Sequence, residues 1–463
     1  MLTYNFENLE RPIYAHLYDS IKNDILNGKL APGAKLPSKR TFAKNNGIST
    51  ITIQTAYDQL ISEGYIYTLP KKGYYVASLE GISRGITQAN IHLDIQLPET
   101  KQYPYDLSNN GMNSENFPFT IWSKLSREVM NQQKAALMTV SPAAGIPELR
   151  EAIAQHLQSF RGMLVDPNQI IIGAGTEYLY RLIVQLLGSE NIYGVENPGY
   201  KKLAQIYGHL GVDCRHLDMD DMGVTLNSLV VSSINVAHIC PNHHFPTGIT
   251  MPASRRYEIL SWANGDGGRY IIEDDYDSEF RLSKKPIPTL FSIDGCGKVI
   301  YMNTFSKSLS PTIRISYMVL PVELANAFYQ NMSFLACTVS NFEQYTLAKF
   351  ISQGYFEKHI NRMRLYYLRQ RTKTIAAIRD TLEESDYELL ENDAGLHFLL
   401  RLHTNRSDGD IVKKLHKLGV QIRPLSEYYQ APVTDRAHWF IVNYSNLDEE
   451  TVVRALKLVK QVL

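Results

Sequence analysis

The chain has 463 residues, about two to four times the length of an ordinary domain, so at least two domains are expected. Hydrophobic residues make up 44% and charged residues 20%, a globular balance that excludes a disordered or fibrous protein. Lysine and arginine (47) equal aspartate and glutamate (47), and this zero net charge by itself argues against nucleic acid as a partner.

Cysteine usage and the first residues indicate the compartment. The four cysteines lie far apart and form no CxxC pair, which excludes a disulfide scaffold and a structural zinc site. The opening MLTYNFENLERP has acidic residues and lacks the apolar core of a signal peptide. No apolar run approaches the roughly 18 residues that are needed to cross a bilayer. We therefore expect a soluble, cytoplasmic protein with no membrane partner.

Residues 11–77 have the pattern of a compact small domain. Pro12 suits the first turn of a helix, and Gly28 ends the run that follows. Apolar side chains recur every four residues along that run, at Ile13, Leu17, Ile21 and Ile25. Ser38 is a candidate N-cap for a short helix that continues through Lys44.

The second half of this domain predicts a longer helix and a hairpin. Ser49 opens the helix STITIQTAYDQLISEG, which Gly64 ends. The string YIYTLPKKGYYV then predicts two short strands around a Pro-Lys-Lys-Gly turn. Helix, short helix, turn, helix and hairpin together indicate a winged helix-turn-helix domain.

This small domain carries a positive charge that the whole chain conceals. Between Lys22 and Lys72 there are eight lysines and arginines against three acidic residues, a balance of +5. Such an asymmetry is typical of a surface that contacts phosphates. Candidate contacts to phosphates and base edges lie on the longer helix that Ser49 opens, at Ser49, Thr50, Thr52 and Gln54, and at the wing tip, at Lys71 and Lys72. A protein-interaction module with solvated lysines is the alternative.

The string LAPGAKLPSKRTFAKNNGISTITIQTAYDQLISEGYIYTLPKKGYYV strongly resembles the DNA-binding domain of the GntR family. The family skeleton, from the PG and LPS strings to the EG turn and the wing glycine, is matched nearly throughout. The resemblance implies phosphate contacts by Ser38 and Arg40, and operator contacts by Ser49, Thr52, Gln54 and the Lys72–Gly73 wing. Thr50 stands where the family usually has an arginine, so base preference does not carry over there.

The rest of the chain predicts a linker and a second, larger domain. Residues 78–106 show scattered polar residues, two glycines and no sustained period, which is typical of a linker. From residue 107 to 463, strand-like apolar runs alternate with helical segments. This alternation predicts an α/β fold with a largely parallel sheet.

One string of the larger domain indicates a cofactor lysine. YMNTFSKSLSPTIRIS places Lys307 among small hydroxyl residues, with Arg314 seven residues later. A lysine that binds pyridoxal phosphate must lie next to a phosphate anchor, and Ser306 and Arg314 have the donors for it. A surface lysine with a structural arginine is the alternative.

Two further strings supply candidate partners for such a cofactor. In RYIIEDDYDSEF, a buried strand over residues 270–272 leaves Asp274 and Tyr276 near its C-terminal end, where α/β folds bind ligands. An aspartate there can keep a pyridinium nitrogen protonated, and a tyrosine hydroxyl can bind the ring's 3′-oxygen. In QIIIGAGTEYLY, a strand runs through Gly175 and Thr176 into a helix whose backbone N–H groups can hold a phosphate. Each string alone is weak evidence for a cofactor site.

Together, in this order and spacing, these strings resemble the fold type I aminotransferases, with further matches in GIPELREAI, VENPGY and HFPTG. The resemblance covers residues from about 107 to 460 and implies pyridoxal 5′-phosphate as cofactor. It implies Lys307 as the Schiff-base lysine, Asp274 as the ring-nitrogen partner and Tyr276 as the 3′-oxygen partner. Arg314, Gly175, Thr176 and Ser306 would hold the phosphate, and Tyr200 would stack on the ring.

A GntR-type reader joined to an aminotransferase-like domain resembles the MocR family, typified by the GABA-responsive regulator GabR. Two departures bear on the effector. The C-terminal strand HWFIVNYSNL contains no arginine for a substrate carboxylate, and Arg436 lies nearby. Lys202 in PGYKK stands where GabR has an arginine, and lysine does not bind a carboxylate bidentately. Lys202 and Arg436 remain the candidate effector contacts, and GABA is disfavoured.

The NPTG asparagine of the aminotransferases is also missing, since Phe245 precedes Pro246. The adjacent His243 and His244 have no spaced acidic or cysteine partners, which favours a structural role over a metal site.

These features predict a transcriptional regulator that senses an amino compound through an external aldimine at Lys307, rather than an enzyme. At most residual transaminase half-reactions are expected of such a regulator. A catalytically active aminotransferase with a drifted N-terminal domain is the first alternative. A regulator that senses pyridoxal 5′-phosphate itself is the second. The resemblance implies a homodimer in which each reader packs on the partner's large domain, bound to a double-stranded DNA operator. RNA polymerase is a further candidate partner.

Overall fold

The computed structural model describes residues 2–6, 11–79, 95, 97–98, 101–281, 287–390, 395–432 and 437–463. It divides into two compact units, Met1–Thr100 and Lys101–Leu463. The predicted linker, 78–106, lies largely outside the described residues, and its last residues belong to the larger unit, where Tyr105–Asp106 forms a strand. Within the described parts of the chain, no helix is both long and apolar enough to cross a membrane.

The smaller unit has three helices and a three-stranded antiparallel sheet in the order β1-β3-β2. In chain order the elements are α1 (Ile13–Leu26), β1 (Lys35–Leu36), α2 (Lys39–Asn46), α3 (Thr50–Ser62), β2 (Ile66–Leu69) and β3 (Gly73–Val76). Ser38 and Ser49 cap α2 and α3, and each hydroxyl accepts a hydrogen bond from the backbone N–H three residues on, at 3.2 and 3.1 Å. The predicted winged helix-turn-helix is confirmed.

The apolar face of α1 packs on α3. Leu17 and Ile21 from α1 and Ile53 and Tyr57 from α3 are fully buried, and each such side chain contributes roughly 1.5–3 kcal/mol through burial. Ile13 has the right spacing for this face but is 39% exposed, because it is the first residue of the helix and lies beyond the core.

The larger unit begins with β4 (Tyr105–Asp106). Its first half continues with α4 (Phe119–Gln132), α5 (Lys134–Leu137), α6 (Pro147–Arg161), β5 (Ile170–Gly173), α7 (Thr176–Leu187), β6 (Tyr193–Asn197), α8 (Lys201–His209), β7 (Cys214–Asp220), β8 (Gly223–Val224), α9 (Leu226–Val231), β9 (Val236–Ile239), α10 (Ala253–Asn264) and β10 (Tyr270–Asp274).

Its second half comprises α11 (Leu290–Ile293), β11 (Val299–Thr304), α12 (Phe305–Ser308), β12 (Ser316–Val319), α13 (Val322–Met332), α14 (Asn341–Ser352), α15 (Tyr355–Thr381), β13 (Tyr387–Leu390), β14 (His397–Leu402), α16 (Asp408–Lys417), β15 (Val420–Gln421), β16 (Arg423–Pro424), β17 (Trp439–Asn443) and α17 (Glu449–Lys460).

The main sheet of the larger unit has the strand order β5-β12-β11-β10-β9-β6-β7-β8. The central pairings, from β11 to β7, are parallel. By contrast, β12 is antiparallel to both of its neighbours and β8 is antiparallel to β7. The predicted α/β class is confirmed, and the parallel strands form the centre of the sheet. A smaller antiparallel sheet, β13-β14-β17-β16, follows in the C-terminal part.

Candidate functional site

Lys307 lies on α12, the short helix that directly follows β11. Because β10 and β11 are parallel and Asp274 is paired with Met302, the end of β10 and the start of α12 share one edge of the sheet. The Nζ atom of Lys307 donates a hydrogen bond to the carbonyl oxygen of Asn110, at 3.3 Å. The predicted proximity of the two motifs therefore follows from strand register.

Burial lowers the pKa of Lys307, and the nearby Asp277 carboxylate partly opposes this effect. A lowered pKa increases the fraction of neutral amine near pH 7, and the neutral amine is the nucleophilic form. The lysine therefore has the chemical character that condensation with an aldehyde requires.

Asp274 ends β10 with one carboxylate oxygen engaged and the other without a donor. Oδ2 accepts a hydrogen bond from the hydroxyl of Tyr180 at 2.9 Å and lies 3.5 Å from Nε2 of His238. The ring of His238 is in turn bonded through Nδ1 to the hydroxyl of Tyr207, at 2.8 Å. Oδ1 is buried and has no hydrogen-bond partner among the described residues. This oxygen suits a ligand that brings its own N–H group.

Gly175, Thr176 and Arg314 form an anion cradle at the start of α7. Gly175 has a φ of 87°, which favours glycine, and a Cβ built there would lie 2.7 Å from Cζ of Arg314, so any other residue would have to move this guanidinium. Thr176 is the first residue of α7, whose N-terminal N–H groups favour a negative group. Ser306, the fourth predicted phosphate ligand, lies on α12 beside the lysine.

Tyr276 lies in the segment after β10, with its hydroxyl 3.2 Å from Nδ1 of His243. Burial raises the pKa of Tyr276 well above 10, and the Asp277 carboxylate raises it further. The phenol therefore stays protonated and is available as a hydrogen-bond donor.

Tyr200 and Lys202 lie at the start of α8. Tyr200, the predicted stacking residue, is 50% exposed. Lys202 forms an ion pair with Glu177, whose other carboxylate oxygen lies 4.0 Å from Arg314. The second predicted effector contact, Arg436, lies outside the described residues.

The donor and acceptor set matches pyridoxal 5′-phosphate. The lysine of lowered pKa, Lys307, corresponds to its aldehyde. The buried acceptor oxygen of Asp274 corresponds to its ring nitrogen, and the cationic cradle of Gly175 and Arg314 corresponds to its phosphate. Each of the three comes from a different part of the chain.

In the smaller unit, most of the predicted DNA contacts are exposed. The exposed residues are Ser38, Arg40, Ser49, Thr50, Gln54, Lys71 and Lys72, while Thr52 and Gly73 are half-buried. The hydroxyls of Ser38 and Ser49 also cap helices, so their phosphate contacts would add to a structural role.

The structure also shows where the positive charge of this unit is free. Lys22 is paired with Glu63 at 3.6 Å, and Lys29 is paired with Asp24 at 3.2 Å. Within the described part of the chain, no ion pair involves the remaining six basic residues of the +5 segment, which are Lys35, Lys39, Arg40, Lys44, Lys71 and Lys72. The net positive charge is therefore concentrated on β1, on α2 and on the wing turn between β2 and β3.

Comparison with known proteins connects the two units. Residues 13–76 match the family model of bacterial regulatory proteins of the gntR family, and residues 105–459 match aminotransferase class I and II. The chain is 30% identical to the probable rhizopine catabolism regulatory protein MocR of Rhizobium meliloti, over 95% of this chain and 92% of that protein. The chain belongs to the MocR-type GntR regulators.

Another MocR-type relative is the HTH-type transcriptional regulator YdeL of Bacillus subtilis, 34% identical over 97% of each chain. Among solved structures, the multiple substrate aminotransferase of Thermococcus profundus shares the fold with a TM-score of 0.69 and 23% identity, covering 79% of this chain and 92% of that one. The two regulators, which match over nearly the whole chain, favour a regulator over an aminotransferase with a drifted N-terminal domain.

Sequence reasoning missed several residues of this MocR-type site. Tyr180 and His238, which hold Asp274, come from α7 and β9, and no local pattern marks them. Asp277 lies three residues beyond Asp274 in the acidic string, and the sequence pattern assigns it no role. The sequence shows His243 only as one of two adjacent histidines, because its contact with Tyr276 depends on the fold.

Proposed function

We propose that this MocR-type protein is a DNA-binding transcriptional regulator whose large unit holds pyridoxal 5′-phosphate on Lys307 and senses a small amino compound. The observation that carries the proposal is that one chain combines an exposed basic reader with a partly buried lysine of lowered pKa and an anion cradle. Its relatives are HTH-type regulators, and its place of action would be the cytoplasm, where the operator DNA is.

When bound, pyridoxal 5′-phosphate supplies an aldehyde that condenses with amines and a ring that withdraws electrons. In this chain, Lys307 would hold the aldehyde end and Asp274 would accept a hydrogen bond from the ring nitrogen. The Tyr276 hydroxyl would donate to the 3′-oxygen. The remaining contacts would be Gly175, Thr176, Ser306 and Arg314 for the phosphate and Tyr200 for the ring face.

A signal would follow if an effector amine took the place of Lys307 on the cofactor. The Nζ atom of Lys307 would then be free to donate to the carbonyl oxygen of Asn110, as it does in this structure. Asn110 belongs to the segment that follows the linker, and this segment is held by the backbone bond from Asn443 to Leu107 and by the bond from Ser445 to Gly111. A change at Lys307 thus acts on the part of the large unit from which the linker departs.

The effector is expected to be small and acidic as well as amino-bearing. Lys202 would receive its carboxylate, with Arg436 as a second contact. Because Lys202 is already paired with Glu177, the effector must compete with that carboxylate. Lysine is a point charge, whereas the planar guanidinium of arginine binds a carboxylate bidentately. We therefore expect an effector different from the compounds whose carboxylate is bound by an arginine.

A homodimer with exchanged readers is part of the proposal. The larger unit exposes several large apolar side chains on α4 and after α5 and α13, which are Phe119, Met130, Met138, Val140 and Phe334. A second copy would remove these groups from water, and two readers would then address paired half-sites.

The test uses the full-length protein with operator fragments recovered by selection from a random duplex pool. Pyridoxal 5′-phosphate is added, amino acids, D-amino acids, amines and dipeptides are screened by absorbance, and each hit is tested for an effect on DNA binding. We expect Lys307→Ala to abolish both responses and the exposed-lysine control Lys457→Ala to keep them. Effector-dependent DNA binding that survives Lys307→Ala would refute the proposal. A DNA response to the cofactor alone would favour a sensor of pyridoxal 5′-phosphate.

A further inference from the structure

His243 lies between an acid and the tyrosine of the candidate cofactor site. It is 3% exposed, and its Nδ1 atom lies 2.8 Å from Oδ2 of Asp277 and 3.2 Å from the hydroxyl oxygen of Tyr276. Asp277 is also buried, at 3% exposure. The three side chains form a triangle of mutual contacts.

The chemistry of the triangle fixes its protons. A carboxylate next to an imidazole nitrogen stabilises the tautomer that carries the proton on that nitrogen, because two lone pairs would repel. Nδ1 of His243 is therefore a donor to Asp277 and cannot accept the proton of Tyr276. The Tyr276 proton is left for Asp277 or for a ligand oxygen, and the charge of Asp277 opposes its loss, consistent with the raised pKa of Tyr276.

The surrounding packing holds the imidazole in place. A Cβ on Gly395, whose φ is 77°, would overlap the His243 ring, and the Tyr444 hydroxyl donates to the Gly395 carbonyl. The His397 ring on β14 lies 5.0 Å from the His243 ring, measured between centroids. The Nε2 atom of His243 is buried and has no hydrogen-bond partner within the described residues.

The charges that face this histidine come from only a few of the elements packed against it. Burial lowers the pKa of His397 and of the neighbouring His244 to about 3, so both are neutral near pH 7. Asp277 from the segment after β10 is the facing anion, and Lys307 on α12 is the facing amine. Asp277 is thus the carboxylate that contacts His243, while the charge of Asp274 also acts on Tyr276 and raises its pKa further.

We propose that His243 is a positioning residue that, together with Asp277, holds the Tyr276 hydroxyl as a protonated donor aimed at the 3′-oxygen of pyridoxal 5′-phosphate. The proposal rests on the proposed function, since it needs the cofactor in this site. It also gives a role to the histidine two residues before Phe245, the position where the aminotransferase asparagine is missing. A donor at the 3′-oxygen stabilises the anionic form of that oxygen, so the triangle sets the pH at which the absorbance of the bound cofactor changes.

A double-mutant cycle on the full-length, cofactor-loaded protein tests this role. The midpoint of the absorbance change is measured against pH for the wild type, Tyr276→Phe, His243→Asn and the double variant. We expect Tyr276→Phe to raise the midpoint, and His243→Asn to raise it by about half to one pH unit, the value of one hydrogen bond. The double variant should match Tyr276→Phe, because His243 acts through Tyr276.

The controls separate positioning from a general effect on folding. His209→Asn, at an exposed position on α8, should leave the midpoint unchanged. Asp277→Asn is not an equivalent variant, because the Asp277 charge also raises the pKa of Lys307 directly. Should His243→Asn fold poorly, His243→Gln supplies the same comparison and should shift the midpoint in the same direction.

Two outcomes overturn the inference on its own: an unshifted midpoint in His243→Asn, or additive shifts in the double variant. A wild-type protein that shows no cofactor absorbance, or one whose pH-dependent absorbance change is the same after Lys307→Ala, overturns the proposed function, and the inference falls with it.

Discussion

The guanidinium of Arg314 lies against the backbone of Gly175, so close that a Cβ on Gly175 would be 2.7 Å from Cζ and 3.2 Å from Nε of the arginine. Both residues have positive φ values, 87° for Gly175 and 52° for Arg314. The cradle therefore depends on two unusual backbone conformations, and only one of them is at a glycine.

The first prediction concerns this contact. Gly175→Ala must adopt a strained φ, at a free-energy cost on the order of 1–3 kcal/mol, and its Cβ must push the guanidinium of Arg314 out of its position in the cradle. We expect the affinity for pyridoxal 5′-phosphate, measured by absorbance titration, to fall at least about tenfold. Gly208→Ala on α8 is the control, since a Cβ there meets no atom within 4 Å. An unchanged affinity in Gly175→Ala would mean that Arg314 does not hold the phosphate.

The second prediction concerns the ion pair between Lys202 and Glu177. Glu177→Gln removes the carboxylate with which an acidic effector must compete, so the effector concentration for half-maximal response should fall about two- to fivefold, the range of an exposed ion pair. Lys202→Ala should raise that concentration. The measurement is the absorbance titration with each compound found in the screen. Equal responses in the two variants would remove Lys202 from the effector site.

The third prediction concerns pH and the buried Glu196 on β6. Burial raises the pKa of Glu196 from 4.5 to about 8, and Nε2 of His244, whose pKa burial lowers to about 3, lies 3.4 Å away. A carboxyl whose folded pKa is raised contributes stability that is present below its unfolded pKa and lost as pH rises through the folded value. The lowered pKa of His244 makes the opposite contribution, which is complete above pH 6.5.

Between pH 6.5 and 8, therefore, Glu196 should lower the free energy of unfolding as pH rises, with a slope of at most about 1.4 kcal/mol per pH unit. Glu196→Gln should flatten this slope in denaturant unfolding series, relative to the wild type and to the exposed-position control Glu151→Gln. Parallel curves for all three proteins would show that Glu196 is charged throughout.

How much of this molecule is predictable depends on the range of the interactions. The helices of the smaller unit follow from local signals, because Ser38 and Ser49 cap the helices that they precede and glycines end the runs. The strand before Asp274 was equally clear as a buried apolar run. By contrast, Ile272 is paired with His238 across the sheet, so the partners of Asp274 depend on strand register that no local pattern specifies.

The last prediction concerns Ile51, an apolar residue among the polar side chains at the start of α3. It is 76% exposed in the first turn of α3, between Thr50 and Thr52, where a β-branched apolar side chain gains nothing from facing water. Major-groove readers use such side chains against the C5-methyl group of thymine. Because Thr50 replaces the arginine typical of the GntR family, apolar contact by Ile51 would carry more of the base preference here.

The test compares selected operators with versions in which single thymines are replaced by deoxyuridine, which removes only the methyl group. Wild-type binding should weaken several-fold at one thymine per half-site, within the roughly 1–3 kcal/mol of a base contact. Ile51→Ser should bind both versions equally, while Ile13→Ser, at an exposed apolar position on α1, should behave as the wild type. A wild-type protein indifferent to every thymine methyl group would exclude this contact and leave specificity to the polar residues of α3.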